Sequence, residues 1–176
     1  MLRLGGSPEV RAIREQRNGA VIEHATGLIA PRGVDHLHRF NAIGAASDGD
    51  IIQLAAETYF EGEEIDPDGK AITLRGVLNE AGEPASVLFG ASDHRVLRCR
   101  SGESGATSFE NLVIQNGSDS DRGGGMYNDQ SSPALTNCTF ASNLADSGGN
   151  DDEDDRHGGG MYNDESDPTL TNCTFT

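Results

Sequence analysis

The chain has 176 residues, a formal net charge of −16 at pH 7 and a hydrophobic fraction of 35%. The charge is uneven, because residues 101–176 hold 14 acidic residues and only two basic ones, Arg122 and Arg156. Such a surface repels nucleic acid, anionic membranes and polyanionic sugars unless a cation bridges the contact. No segment has the length and apolarity of a membrane span, and we find no signal peptide pattern in the first residues.

Residues 1–35 form the first predicted segment. It has mixed charge and shows no match to the repeats found further along the chain. Leu, Ile, Val and Phe make up about a fifth of the chain, which with a high net charge borders on the composition of disordered proteins. We therefore expect residues 1–35 to be poorly ordered or irregular, and residues 36–176 to form the folded domain.

The second half of the chain contains a repeat. Gly123–Phe140 and Gly158–Phe175 are identical at 15 of 18 positions. Such a repeat indicates stacked units that complete each other's core. Strand-forming and turn residues without helical spacing predict short strands, with Leu135 pointing inward and Asn137 at a corner. The next strand carries Cys138 and Phe140 inward.

The same pattern recurs where the sequence is less similar. One further copy has Phe109, Asn111, Leu112 and Ile114 at these places, and the last copy has Leu170, Asn172, Cys173 and Phe175. The copies start 26 and then 35 residues apart, and the extra residues lie in the polar segment 146–157. A coil of about 25 residues with short strands and asparagine corners predicts a parallel β-helix.

These motifs carry a family resemblance. The pattern GGGMYN followed by SPxLTNCTFxxN resembles the right-handed parallel β-helix repeats of large secreted bacterial proteins. It also resembles the polymorphic outer membrane protein repeat, whose Phe-x-x-Asn signature matches Phe140–Asn143. Upstream, Ala46–Val77 resembles the N-terminal part of pectin-lyase-like β-helices, in which a short helix precedes the first strands.

The resemblance implies an all-β, right-handed, single-stranded parallel β-helix of about four to five rungs. It would have a short N-terminal helix near residues 36–47 and an open C-terminal end, through which we expect the chain to self-associate. The family is mostly exported, so we expect a secreted or cell-surface location. The missing signal peptide and the abrupt end at Thr176 suggest a fragment or a mis-called start.

The leading functional hypothesis is a non-catalytic structural or surface-interaction module, such as an adhesin or passenger segment, with a carbohydrate or cell-surface ligand. The alternative is a carbohydrate-active enzyme of the pectin-lyase-like class, a polysaccharide lyase or hydrolase. Its cleft would lie near Asp93, His94 and Arg95. The motifs Asn-Thr-Asp, Gly-Asp-Asp and Gly-His-Gly of sugar hydrolases are absent, so no catalytic residue is assigned.

A candidate binding strip follows from the side-chain alternation of strands. If Met126 points inward, its neighbour Tyr127 points outward. Tyr162 is the equivalent residue of the next coil and would point outward as well. Asp129 and Asp164 flank this pair, and such a strip could stack against sugar rings. The alternative is a tyrosine pair that only stabilises its own sheet.

Two further sets of residues have both a structural and a chemical interpretation. Cys138 and Cys173 are at equivalent positions of successive coils. Asn111, Asn137 and Asn172 form a second set of equivalent positions. We expect structural ladders from both sets, with a Cys138–Cys173 disulfide as the alternative in an oxidising compartment. We do not expect a zinc site, because no second cysteine pair at ligand spacing exists.

The acidic run from Asp151 to Asp155 consists of five consecutive acidic residues. Asp151, Asp152, Asp154 and Asp155 are candidate Ca²⁺ ligands, since hard cations take several oxygen ligands. The run lacks the glycine and apolar spacing of known Ca²⁺ loops. A solvated loop with weak Ca²⁺ affinity is therefore expected, and no cofactor is predicted.

Overall fold

A computed structural model describes residues 21–23, 41–60, 62–145 and 158–176. One helix is present in these ranges, α1 (Asn41–Ala45), and it lies within the predicted residues 36–47. The strands are β1 (Val21–Glu23), β2 (Ile51–Gln53), β3 (Thr58–Tyr59), β4 (Thr73–Arg75), β5 (Ser86–Phe89), β6 (Leu97–Cys99), β7 (Ser108–Glu110), β8 (Leu112–Gln115), β9 (Ser118–Asp119), β10 (Met126–Asp129), β11 (Ala134–Thr136), β12 (Thr139–Ala141), β13 (Leu144–Ala145), β14 (Met161–Asp164), β15 (Thr169–Thr171) and β16 (Thr174–Phe175).

The strands stack into parallel sheets. A six-stranded sheet has the order β1-β2-β4-β7-β11-β15, a five-stranded sheet the order β16-β12-β8-β5-β3, and a three-stranded sheet the order β14-β10-β6. A two-stranded sheet joins β13 to β9. All pairings between these strands are parallel. Since successive strands enter different sheets and each coil returns to the first, the predicted parallel β-helix is confirmed.

The core lies between the sheets and is built one layer per coil. Leu135 pairs in register with Phe109 and Leu170, and Phe140 pairs with Ile114 and Phe175. Leu135, Cys138 and Phe140 are at most 1% exposed, as predicted from the repeat. The Phe140 and Phe175 rings stack with centroids 4.6 Å apart. Each inward side chain therefore packs against its equivalents in the neighbouring coils.

Asparagine occupies the corner between the six- and five-stranded sheets. Asn111, Asn137 and Asn172 have φ angles of 57°, 53° and 53°, a left-handed conformation that asparagine tolerates better than most residues. The Asn137 side-chain amide donates a hydrogen bond to Asn111 Oδ1 at 3.2 Å. The corner thus combines a favoured backbone conformation with a side-chain bond between coils.

Replacing Asn137 tests this corner. We expect Asn137→Ala to lower the free energy of unfolding by about 1 kcal/mol more than Asn137→Gly, because alanine resists a positive φ that glycine adopts freely. Both variants lose the bond to Asn111, so their difference isolates the backbone conformation. Urea denaturation followed by circular dichroism measures it, and equal midpoints would contradict the strain argument.

The two ends of the described coil stack differ. At one end, Ala42 and Ile43 of α1 pack against the core. At the other, Leu170 and Phe175 are 43% and 48% exposed. Self-association through this face stays a prediction. Of the segment predicted to be irregular, Val21–Glu23 pairs with β2 as β1, and the rest of residues 1–35 lies outside the described residues.

Candidate functional site

The predicted tyrosine strip lies on the outer face of the three-stranded sheet. Met126 is fully buried on β10, so Tyr127 points outward, and it pairs in register with Tyr162 on β14. The two rings are stacked with centroids 5.8 Å apart and planes 6° apart. Asp129 pairs with Asp164 two residues further along the same face. The structure therefore brings together all four residues of the strip.

Arginine side chains cover these rings. The Arg95 guanidinium lies 4.8 Å from the Tyr127 ring centroid, and that of Arg122 lies 5.0 Å from the Tyr162 centroid. Arg122 also donates a hydrogen bond to the Tyr162 hydroxyl at 3.2 Å. Arg95 precedes β6 and Tyr162 lies on β14, the two strands on opposite sides of β10. Both faces of the Tyr127 ring are thus in contact with protein groups, which disfavours sugar stacking there.

The environment of Tyr127 also keeps its hydroxyl protonated. Burial, and then the carboxylates of Asp129 and Asp164, raise the pKa of Tyr127 against the opposing charges of Arg122 and Arg95. A neutral phenol both donates and accepts hydrogen bonds. The strip therefore presents the ring edges and the neutral Tyr127 hydroxyl at its outer surface.

A cleft of about 640 Å³ opens beside the strip. Three chain segments line it, with the residues Gly62, Glu63, Glu64, Asp66, Asp93, His94, Arg95, Arg98, Ser118, Asp119 and Ser120. The volume falls in the range of small-molecule sites. The lining has five carboxylates against two arginines, so the cleft repels polyanions and favours neutral or cationic ligands.

A network of ion pairs forms one wall of the cleft. Arg95 contacts Glu64 at 3.0 Å and Asp119 at 2.9 Å, and its side chain is only 12% exposed. It also donates to the backbone carbonyls of Gly123 and Arg122. These bonds use the planar fork of the guanidinium, which suits several acceptors at once. Arg95 is therefore held in place by two other chain segments, one containing Glu64 and one running from Asp119 to Gly123.

The network continues along the coil. Arg98 contacts both Glu64 and Asp66, and Arg100 lies 3.6 Å from Asp66. An isolated bridge between Ile65 and Leu97 sets this register by placing the two segments side by side. The charges along this wall therefore neutralise one another and leave an ordered surface.

An aromatic group lies beside the cleft, next to its lining residue His94. The Phe60 ring is 38% exposed and lies 6.2 Å from the His94 ring, with the planes 38° apart. His94 Nδ1 lies 2.7 Å from the Arg95 carbonyl oxygen, which requires that this nitrogen carries the proton and donates. A phenyl face thus lies next to an oriented imidazole.

Sequence reasoning identified only part of this cleft. The enzyme alternative would place its cleft near Asp93, His94 and Arg95, and these three residues line the cleft of the structure. Glu64, Asp119 and Phe60 were not predicted. The first two lie in different coils, and their outward positions do not repeat between coils. No sequence signal places Glu64 near Arg95, because the pairing of Ile65 with Leu97 that brings the two segments together follows no repeat.

The cysteine ladder is present as an unbridged pair. Cys138 and Cys173 are both free thiols, and Cys138 is fully buried while Cys173 is partly exposed. Thr139 pairs in register with Thr174, so the two cysteines are equivalent positions of adjacent coils. The Cys99 thiol is also free and buried, and burial raises its pKa.

The predicted acidic loop, Asp151–Asp155, lies outside the described residues. Within the part of the chain that the structure describes, no group of three or more His, Cys, Asp or Glu side chains is arranged to hold a metal ion. Across the same ranges, none of the helical segments combines the length and the apolar character that a membrane crossing requires.

The fold and the cleft define the class of protein as a parallel β-solenoid with a charged side cleft. A scan against protein-family models, a search of curated proteins and a search of solved structures each found no match. The support for the parallel β-solenoid fold therefore comes from the strand pairings of the structure. The resemblance to pectin-lyase-like and polymorphic outer membrane proteins rests on the sequence motifs alone.

Proposed function

We propose that the chain is a non-catalytic β-helix module of a larger exported bacterial protein, an adhesin or passenger-like segment that binds a carbohydrate on its outer surface. The single observation that supports this most strongly is the mutual pairing of the outward charged groups. Glu64, Asp66 and Asp119 are each engaged by arginines, so the surface is preorganised. Ordered side chains lower the entropy lost on binding.

The ligand that fits the cleft is a neutral saccharide. The exposed Phe60 ring, which lies beside the lining residue His94, supplies an apolar face, and the serines and carboxylates of the lining supply hydrogen-bond partners for hydroxyl groups. Acidic sugars are disfavoured by the excess of carboxylates. Export and a bacterial surface location are part of the proposal by family resemblance.

Removal of the phenyl ring tests the binding proposal. We expect Phe60→Ala to weaken binding of a neutral oligosaccharide at least about tenfold, equal to about 1.4 kcal/mol. A glycan array identifies a binding oligosaccharide, and calorimetric titration then compares the variants. Leu78→Ala is the matched control, because Leu78 is 43% exposed, close to the 38% of Phe60, but does not line the cleft, whereas the Phe60 ring lies against the lining residue His94. Equal affinity of both variants, or binding to acidic glycans alone, would count against the site.

The alternative, a polysaccharide lyase or hydrolase, is favoured by one observation. Several carboxylates line the same cleft as His94 and Arg95, and acid–base cleavage of a glycosidic bond uses a pair of carboxyl groups. Incubation with neutral and uronic-acid polysaccharides, followed by an assay for new chain ends, separates the two functions. Activity that disappears in Asp93→Asn and persists in Asp121→Asn, a residue outside the cleft, would replace the binding proposal.

A further inference from the structure

The two stacked thiols, Cys138 and Cys173, differ in their surroundings although their places in the repeat are equivalent. The backbone N–H of Thr174 donates to the Cys138 carbonyl at 2.9 Å, so the two strand starts lie directly side by side. Parallel strands are spaced about 4.8 Å apart, within the Cα separation of about 4.4–6.8 Å that a disulfide spans. The backbone therefore places both sulfur atoms within bonding reach after small side-chain rotation.

The thiol of Cys138 is enclosed. It is fully buried and lies 3.4 Å from the Phe109 carbonyl oxygen and 3.5 Å from that of Thr136. A reagent from solution has no route to this sulfur atom while the coils are stacked. Cys138 is therefore unsuited to be the first thiol to react with an external molecule.

The thiol of Cys173 is the accessible member of the pair. It is partly exposed, packs on its inner side against the core, and lies 3.7 Å from the Leu135 carbonyl oxygen. The adjacent Cys138 thiol, followed by backbone groups of Cys138 and Thr171, outweighs burial and lowers the pKa of Cys173. The adjacent Cys173 thiol and burial raise the pKa of Cys138. The thiolate is the nucleophilic form of cysteine.

We propose that Cys173 is a nucleophilic modification site for a disulfide-bearing molecule, and that Cys138 resolves the resulting mixed disulfide. In the first step the Cys173 thiolate attacks one sulfur of the external disulfide, forming a mixed disulfide and releasing the other half as a thiolate. In the second step the Cys138 thiol gives up its proton to that thiolate or to solvent. Its sulfur then attacks the Cys173 sulfur and releases the second half.

The electrons balance in this sequence. The two protein thiols are oxidised to one disulfide, and the external disulfide is reduced to two thiols. The product is a covalent link between two adjacent coils, those of β12 and β16. Because the attacking and resolving sulfurs belong to adjacent strands, the second step needs no separation of the coils.

Cys99 provides an internal control. It pairs in register with Asn128 of the three-stranded sheet, away from the cysteine pair, and it is fully buried. The equivalent positions of β10 and β14 are Asn128 and Asn163, so no second thiol lies next to Cys99 in this sheet. We therefore expect Cys99 to remain a free thiol under conditions that oxidise the pair.

The test is intact-mass spectrometry of the folded chain treated with oxidised glutathione. We expect the wild-type protein and Cys99→Ser to lose two hydrogens and to retain no glutathione. Cys138→Ser should accumulate one stable glutathione adduct, mapped by peptide analysis to Cys173. Cys173→Ser should remain unmodified. Circular dichroism of each variant before treatment establishes that the coils are folded.

Three outcomes would overturn the proposal. A stable adduct on the wild-type protein would remove the resolving role of Cys138. An unmodified Cys138→Ser protein would remove the nucleophilic role of Cys173. Modification of folded Cys173→Ser would show that another thiol reacts first. A second measurement, the thermal midpoint of the oxidised wild-type protein, should exceed that of the reduced protein and fall back on reduction.

Discussion

Replacing Gly124 with alanine is expected to destabilise the coil stack by about 3 kcal/mol or more. A Cβ atom at this position would lie 2.0 Å from the Leu144 carbonyl oxygen and 2.9 Å from that of Gly117. Both contacts are to backbone, which cannot rotate away as a flexible side chain can. Overpacking usually costs about 1–3 kcal/mol, and the rigid neighbours here place the effect at the upper end.

The physical cause is the close approach of three coils at one corner. The Gly124 carbonyl accepts a hydrogen bond from Val96, and the Leu144 N–H donates to the Gly117 carbonyl. An added methyl group must separate these segments, so it breaks backbone hydrogen bonds as well as packing. In a solenoid, stability depends on the interfaces between neighbouring coils, so the damage affects both sides of the substituted coil.

Gly105→Ala is the matched control for this substitution. A Cβ atom there meets no other atom within 4 Å. Its backbone carries no left-handed φ, so alanine should be neutral or stabilising by about 0.5 kcal/mol. Chemical denaturation followed by circular dichroism compares the two variants. A Gly124→Ala protein as stable as Gly105→Ala would show that the coils separate at little cost.

The sequence predicted the fold well because a repeat constrains every copy at once. Leu135, Asn137 and Phe140 follow from a pattern of inward and corner residues that three copies share. Once one copy is assigned to two strands and a corner, parallel stacking in register is the arrangement that buries all of them. The same reasoning predicted the outward Tyr127, since its neighbour Met126 must point inward.

The side cleft was predicted less completely, and the reason is physical. Outward residues carry no burial constraint, so their identity changes from coil to coil. Glu64 and Arg95 meet because Ile65 pairs with Leu97, a register that depends on the exact number of residues in an irregular coil. Arg95 covers Tyr127 through a different register, in which Leu97 of β6 pairs with Met126 of β10. Composition and periodicity do not determine such a register.

Glu103 is the acidic residue among the buried polar side chains of the described residues, and the sequence analysis did not predict its role. It lies in the turn between β6 and β7 and is 3% exposed. Its carboxylate accepts hydrogen bonds from the Gly69 N–H at 2.8 Å, the Ser101 N–H at 2.9 Å and the Ser131 hydroxyl at 2.8 Å. One side chain thereby joins three successive coils.

The hydrogen bonds decide the charge state of Glu103. Burial alone would raise its pKa, but the backbone N–H groups of Gly69, Ser101 and Glu103 itself, with the Ser131 hydroxyl, outweigh burial and lower it. The folded-state pKa therefore lies below the ordinary value of 4.5. The resulting stabilisation is fully present above pH 4.5, and it is lost as the pH falls through the lowered folded-state pKa.

We therefore expect Glu103→Ala to lower the free energy of unfolding by about 3 kcal/mol near neutral pH, because it leaves several buried donors without an acceptor. Glu103→Gln should cost less, since one oxygen is retained, although its NH₂ group faces donors instead of acceptors. Urea denaturation curves of the wild-type protein and both variants measure these differences. The control is Glu110→Gln, whose ion pair with Arg75 is about one-third exposed and contributes at most about 1 kcal/mol.

The pH dependence separates the hydrogen-bonded carboxylate from a side chain that only fills space. Below pH 4.5, the difference in unfolding free energy between the wild-type protein and Glu103→Gln should shrink steadily as the carboxylate is protonated. A space-filling role predicts a difference that stays constant with pH, because the two side chains have nearly the same volume. A constant difference, or equal stability of the two proteins at neutral pH, would show that the bonds from Gly69, Ser101 and Ser131 do not hold the coils together.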